Sequence, residues 1–465
     1  MEGFLGAEGR TQFTSSSGMD GTGGTAGPSG LTPVQWLIYG IACLGFAFDL
    51  YESLMLPLIV RPALTAVGNL KPGTSEFNMW VGLLFYVPNM AGGLLGLLGG
   101  YLTDLFGRRR VLFWSILLYS LSACAAGFST SLSQLLILRC TTMIGVCVEF
   151  VAAIAWLAEL FTNARRRESV LGYTQGFHTL GGLMVTGAYY VAVTYAERLP
   201  MIRAGHEAWR YTLLSGLIPA IPLLFIRPFL PESPLWLKKR SKNEVKRPAF
   251  RELFGPALRK TTLVAMLLFA CTYFLSYGAL QQTVRMIPGL AEVAKLAPRQ
   301  IEQAASGVQL FQELGGLTGR LLFALLVVRI VSQRRRLRLV LGPAVFVFSW
   351  LYFFAATRSL AFVHVGIFLA TMFFNGLHSF WGNYLPRVYP TRLRGTGESF
   401  AANIGGRVFG VSAVLITTTL SNVMPGSGPG ARLAYSAGAV SLFGLVVALV
   451  GSLLLKEPEG VQLPD

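Results

Sequence analysis

The chain has 465 residues, of which 53% are hydrophobic and only 13% charged. An ordinary soluble domain has about a quarter of its residues charged, so the composition excludes one. The net charge of +17 would point to nucleic acid in a soluble protein. Here, however, the basic residues gather in alternate loops between apolar runs, without the interleaved aromatics of a base-stacking surface, so no nucleic-acid partner is expected.

Residues 1–32 are rich in Gly, Ser and Thr. They hold too little apolar surface to fold and have no apolar core near the start, so they read as a disordered tail rather than a secretory signal. Apolar runs of about 20 residues then recur. They predict twelve membrane-spanning helices, at 34–60, 79–102, 111–128, 133–161, 168–194, 211–229, 261–287, 304–331, 337–356, 359–385, 396–421 and 433–455. The runs are continuous and rich in Leu, Ala and Gly, which argues against the alternating strands of a membrane barrel. The predicted class is an all-α polytopic membrane protein. An even number of spans puts both termini on one side. Most loop Lys and Arg follow the even-numbered spans, which places that side in the cytoplasm and the protein in a cytoplasmic (inner) membrane. The longest loop, 231–260, carries Lys238, Lys239, Arg240, Lys242, Lys246 and Arg247. It divides a first six-helix half, 33–230, from a second, 261–456, with a short tail at 457–465. The cysteines, Cys43, Cys124, Cys140, Cys147 and Cys271, all lie in apolar runs without metal-ligand or Cys-x-x-Cys spacing, so they read as small hydrophobes and no metal or cofactor is expected.

The hinge between spans 2 and 3 is Gly100-Tyr101-Leu102-Thr103-Asp104-Leu105-Phe106-Gly107-Arg108-Arg109-Arg110. It is too short to be anything but a tight turn, and its arginines belong on the cytoplasmic side. This Gly-x-x-x-Asp-x-x-Gly-Arg-Arg pattern resembles the signature between the second and third helices of Major Facilitator Superfamily transporters. The halves also resemble each other: Arg108-Arg109-Arg110 follows span 2 and Arg334-Arg335-Arg336 follows span 8. Likewise Glu159-Leu160-Phe161-Thr162-Asn163-Ala164-Arg165-Arg166 ends span 4, and Arg387-Val388-Tyr389-Pro390-Thr391-Arg392-Leu393-Arg394 ends span 10. Duplication of this kind goes with a substrate site at the midplane between halves. Gly92, Gly96 and Gly100 recur every four residues on span 2, a spacing that lets helices approach closely in lipid, as static packing or as a sliding contact.

Charged groups inside a membrane are costly, so each needs a reason. Span 1 carries Asp49 and Glu52, three residues apart and on roughly one helix face. Two carboxylates in a low-dielectric cleft do not both stay ionised readily, and an acid that takes a proton on one side and releases it on the other is what proton coupling needs. Pairing with arginines is the structural alternative. Span 4 carries Arg139, a candidate to bind an anionic substrate or to pair with Asp49. It also carries Glu149, a second titrating group or a partner of Arg139, and Glu159, expected in a cytoplasmic network with Arg108 and Arg166. His178 on span 5 is suited to proton relay or to packing. Glu313 and Arg320 on span 8 read as a structural pair. His378, Trp381, Asn383 and Tyr384 on span 10 are placed to line a cavity or to anchor an interface, and Asn403 and Arg407 on span 11 to meet substrate. Asp104 is expected to face the N-terminus of span 11, where a carboxylate is favoured by the helix dipole, latching the halves together.

Two further stretches sharpen the resemblance. Pro231-Glu232-Ser233-Pro234-Leu235-Trp236 is similar to an element of sugar porters and related symporters. Tyr389-Pro390-Thr391 with Arg394-Gly395-Thr396-Gly397 is similar to a stretch of metabolite and aromatic-acid proton symporters. The acid pair of span 1 resembles the Asp-x-x-Asp of the aromatic-acid symporters, with Glu52 in second place. The resemblance implies proton coupling at Asp49 and Glu52, and anion binding at Arg139 and Arg407. The chain departs from it at Arg387, where the family commonly has an acid, and in the second half's copy of the hinge, which lacks the Asp and Gly. Span 7 lacks the amide pattern with which sugar porters hold hydroxyls. The expectation is a monomeric secondary transporter for a small organic anion, coupled to protons, with a sugar porter or a proton-driven exporter as the alternative and no enzymatic centre.

Overall fold

The computed structural model describes residues 33–160, 164–203, 205–218, 221–222, 232, 237, 250–327, 332–390 and 393–457. Twelve helical segments among them follow the predicted order. The first half holds α1 (Pro33–Gly68), α2 (Ser75–Phe106), α3 (Arg108–Ala126), α4 (Leu132–Leu160), α5 (Ala164–Tyr195) and α6 (Ala208–Leu214). The second holds α7 (Arg259–Gly278), α8 (Pro298–Val327), α9 (Gln333–Phe353), α10 (Leu360–Val388), α11 (394–420) and α12 (Pro429–Gly451). Among the described residues the only β-type pairing is an isolated bridge between Ile202 and Gly205. Eight helices there are long and apolar enough to cross a membrane. The helical outcome follows from the solvent: in lipid every backbone N–H and C=O must be paired within its own segment. Pro57, Pro62, Pro88 and Pro343 stand inside helices, as membrane helices allow where neighbouring groups re-satisfy the backbone atoms a proline frees. Trp114, Ile137, Phe346 and Phe443 are exposed, as suits a surface that meets acyl chains rather than water.

The hinge between α2 and α3 is a single residue. Gly107 has φ 94° and ψ 153°, a backbone region that an L side chain rarely enters, and its N–H closes α2 on the Thr103 carbonyl at 3.1 Å. Within the first half α2 packs on α4, α3 on α4 and α1 on α5, and within the second half α8 packs on α10 and α7 on α12. Gly92 and Gly96 face α4 of their own half: a Cβ on Gly92 would stand 2.8 Å from the Met143 carbonyl oxygen and one on Gly96 2.9 Å from the Cys147 Cβ. Both pack against a helix of their own half, and Gly96 also looks toward Asn403 of α11. Helix α5 approaches α1 closely, since a Cβ on Gly181 would sit 1.7 Å from the Ala47 carbonyl oxygen.

The halves meet where α5 packs on α8 and α2 on α11. At the end away from the basic triplets they share an apolar cluster that joins Leu58, Phe77, Leu84 and Tyr189 to Val284, Ala305 and Val414. Hydrogen bonds tie the same end. Asn78 Nδ2 donates to Ser421 Oγ at 3.2 Å and to Asn422 Oδ1 at 2.9 Å, and Gln303 Nε2 donates to Thr194 Oγ1 at 3.3 Å.

A candidate transport site between the two halves

The acids of α1 part company. Glu52 is fully buried in a seam with α4 and the turn after α6. Its Oε2 lies 3.8 Å from Arg139 Nη1, and Arg139 Nη2 donates to the Glu52 backbone carbonyl at 3.1 Å. Gly216 makes room for it, since a Cβ there would fall 2.3 Å from Glu52 Oε1. Asp49, one turn earlier, turns instead to α5, with His178 Nε2 at 3.6 Å from its Oδ2. Arg139 therefore pairs with Glu52 and not with Asp49. The two acids serve different neighbours because one helical turn of offset aims them at different helices. Glu149 of α4 fits against the bare backbone of Gly45, where a Cβ would stand 2.4 Å from its Oε1. It lies within electrostatic range of Asp49.

These groups are short of partners. Among the described residues neither carboxylate oxygen of Glu52 or Glu149 is hydrogen-bonded, nor are Arg139 Nε and Nη1, His178 Nδ1 or the Tyr119 hydroxyl. Most buried polar atoms in folded proteins do have a partner, and leaving one without costs about 1–3 kcal/mol, more when it is charged. A cluster of such atoms marks a place where water, a proton or a ligand completes the bonding.

The second half supplies a different surface. Phe269, Tyr273 and Tyr277 stand one turn apart on α7. The Tyr273 and Tyr277 rings stack at 5.7 Å and 13°, and the Tyr277 hydroxyl donates to Asn89 Oδ1 of α2 at 3.2 Å. Arg407 lies within electrostatic range of both tyrosines and of Asp49, and Arg139 within range of Tyr277. Tyr277 thus lies within electrostatic range of both guanidinium groups. Arg407 is delivered by an irregularity: α11 runs as a π-helix over Ala401–Phe409, a form that is rare and recurs at functional sites. Gly405 and Gly406 press it onto α7, with Cβ positions 2.5 Å from the Met266 carbonyl and 2.7 Å from the Tyr273 ring.

Other expected site residues take supporting places. Asn403 is buried, donates to Ser399 Oγ at 3.2 Å and looks toward Gly96 of α2, so it belongs to the helix seam. His378 packs edge-on against Phe374 at 4.7 Å and lies within electrostatic range of Arg320 and His178. Tyr384 is buried in the core of the second half. It stacks on Phe380 at 5.4 Å, and its hydroxyl donates to the Lys456 carbonyl at 3.1 Å. Trp381 Nε1 donates to Thr272 Oγ1 at 3.1 Å. The aromatic lining expected on α10 is therefore core there, and the wall facing the other half is on α7. Glu313 and Arg320 lie within electrostatic range of each other; Glu313 Oε1 accepts from Gln309 at 2.8 Å and Gln312 at 3.4 Å, and Arg320 Nε donates to Asn375 Oδ1 at 3.1 Å.

At the basic end the duplication is exact in role. Glu232 Oε1 accepts from the backbone N–H groups of Arg108 at 3.0 Å and Arg109 at 3.2 Å, capping α3, while Arg108 Nη1 reaches back to the Thr103 carbonyl at 2.9 Å. Glu457 does the same for α9, accepting from the N–H groups of Gln333 and Arg334, each at 2.9 Å, and from Ser332 Oγ at 2.7 Å. Partial burial opposes ionisation of the Glu457 carboxyl, but these hydrogen bonds prevail and hold it below the usual carboxylate range. Sequence reading placed Glu457 in a tail. The signal it missed was an acid at the same place after α12 that Glu232 holds after α6. The surroundings of Gly100 and the side chains of Asp104, Glu159, Arg166 and Arg394, as well as that of Asn383, lie outside the described residues.

A model of the Major Facilitator Superfamily matches residues 36–413. The chain belongs to the Major Facilitator Superfamily. It is 27% identical over 440 residues to the probable 4-methylmuconolactone transporter of Cupriavidus pinatubonensis (strain JMP 134 / LMG 1197), covering 93% of each. It is 28% identical over 392 residues to the putative niacin/nicotinamide transporter NiaP of Bacillus subtilis (strain 168), covering 83% of this chain and 89% of that one. Its fold matches a crystal structure of the D-xylose-proton symporter with a TM-score of 0.72 at 18% identity, covering 91% of this chain and 98% of that one. This is a multi-pass membrane protein of a transporter family, not an enzyme.

Proposed function

We propose that this protein carries a small organic acid across a cytoplasmic membrane together with a proton, as a monomer with both termini in the cytoplasm. The two bundles, 33–230 and 261–456, would rock about the site between them. One observation carries the reading: Asp49 of the first half lies within electrostatic range of Arg407, which the second half sets beside its stacked tyrosines. The wall and Arg407 suit a flat anion, its ring against Tyr273 and Tyr277 and its carboxylate on the guanidinium. Asp49 with His178 takes the proton, and Glu149 stands in the same field. Arg139 is held by Glu52 and turns to the anion only when Glu52 is protonated, which links the two cargoes. His378 and Arg320 extend the polar lining. Asp104, with Gly100, Gly107, Arg108, Arg109, Glu159, Arg166 and Arg394, forms the cytoplasmic latch. The relatives named for 4-methylmuconolactone and niacin/nicotinamide support small organic acids as the substrate class. The test is uptake into proteoliposomes of labelled organic acids and sugars, with and without an imposed pH gradient. Gradient-driven accumulation of an acid is expected. Uptake of a sugar that ignores the gradient would overturn the reading.

A further inference from the structure

At the end away from the basic triplets, a cavity of about 220 Å³ opens between α1, α2, the turns after α7 and the start of α12. Arg61, Arg285 and Arg432 line it, and no carboxylate does. Arg285 is only 9% exposed. Its Nη1 donates to Gln282 Oε1 at 2.7 Å and its Nη2 to Asn78 Oδ1 at 3.0 Å, both neutral amides, and its Nε has no partner among the described residues. The Phe77 ring, 5.6 Å from its guanidinium carbon, is a weak substitute for a counter-charge. Arg432 Nε is likewise unpartnered. Among the described residues Glu302 lines the adjoining cleft together with Arg61 and Arg285, and it lies in the field of Arg61. A buried guanidinium held only by neutral groups is incomplete, because burying an uncompensated charge is costly.

The same arginine belongs to the seal between the halves. It comes from the second half, Asn78 from the first, and Asn78 donates onward to Ser421 and Asn422 of the second. We infer that this cavity is an outer binding site for the carboxylate of the incoming substrate. The anion seats on Arg285, with Arg61 and Arg432 around it, and in doing so withdraws Nη2 from Asn78 and loosens the seal. The inference rests on the organic-anion reading and on the basic end facing the cytoplasm. It adds a first stop, separate from Arg407, at which arrival of cargo favours opening of the closed end.

The test compares half-saturation from the two sides in phosphatidylcholine proteoliposomes, using benzoate first and otherwise the carboxylate best taken up in the panel. Arg285→Gln should raise the outer half-saturation concentration by about tenfold, with Arg285→Lys intermediate and the partly exposed Arg432→Gln smaller. The inner half-saturation concentration should stay within about twofold of wild type, which also shows that the variant is folded. A mere latch gives the opposite sign: removing it favours the outward-open form and lowers the outer value. Asn78→Ala, which removes the latch and keeps the cation, should do that. An unchanged or lowered outer value in Arg285→Gln overturns the inference and leaves the transport reading intact. So does an effect seen only when acidic phospholipid is added, which would assign the cavity to a headgroup. Uptake of neutral solutes alone by wild type defeats the transport reading and this inference with it.

Discussion

The two halves repeat one fold, yet their interiors differ in kind. The first gathers Asp49, Glu52, Arg139, Glu149 and His178, most with polar atoms left unbonded. Among the described residues the second has one comparable buried acid, Glu313, and two glutamines donate to it. Its exceptional features are the stacked tyrosines and the π-helical Arg407. In the transport reading proposed above, the first half would take the proton and the second the organic body of the cargo.

That division can be broken at several points. The largest effect is expected from Arg139→Leu. Removing one partner of a buried pair leaves Glu52 alone and costs about 3–5 kcal/mol, read as a fall in melting temperature and yield. Glu52→Gln in the same background should recover much of it. Asp49→Asn should cut gradient-driven accumulation by roughly a hundredfold, about 2.7 kcal/mol, while counterflow exchange survives. Normal accumulation in that variant would remove the proton from Asp49. Arg407→Lys keeps the charge and loses the planar fork, so KM for an organic acid should rise about tenfold with little change in proton dependence. Tyr273→Leu should weaken aromatic acids by about 0.5–1.5 kcal/mol and leave aliphatic acids nearly untouched. A uniform loss would deny the wall its part.

The smallest effect concerns the basic end, where the halves are most alike. Glu457→Gln should cost about 0.3–1 kcal/mol at neutral pH, the scale of a charge at a helix N-terminus. The Glu457 carboxyl is held low in the folded state, so its contribution is complete above the unfolded value of about 4.3. It is lost as pH falls through the folded value. The melting difference between wild type and variant should therefore shrink below about pH 4 and stay constant above it.

The spans were legible because a bilayer demands about 20 apolar residues of each helix, and the one-residue hinge at Gly107 because glycine beside a basic run leaves few options. The residues of the site were legible as types: a buried Asp, Glu or Arg in such a run is conspicuous. Their pairings were not. Whether Arg139 meets Asp49 or Glu52 depends on the rotation of α1 against α4, which a three-residue spacing does not fix. The π-helical turn under Arg407 left no periodic signal, since it spans only nine residues, Ala401–Phe409. Tyr384 looked like lining because aromatics on a polar helix face read the same whether they meet a cavity or a core. Glu232 stood in a recognisable stretch, but its bond to α3 crosses more than a hundred residues of chain.

The central claim, that an organic acid and a proton cross together, is tested most directly with a pH electrode in a weakly buffered suspension of proteoliposomes at zero imposed gradient. Adding the transported acid outside as its neutral salt should make the medium more alkaline at the rate at which labelled acid enters, and Asp49→Asn should abolish the alkalinisation. Entry of the acid at the wild-type rate with no change in external pH would contradict the account.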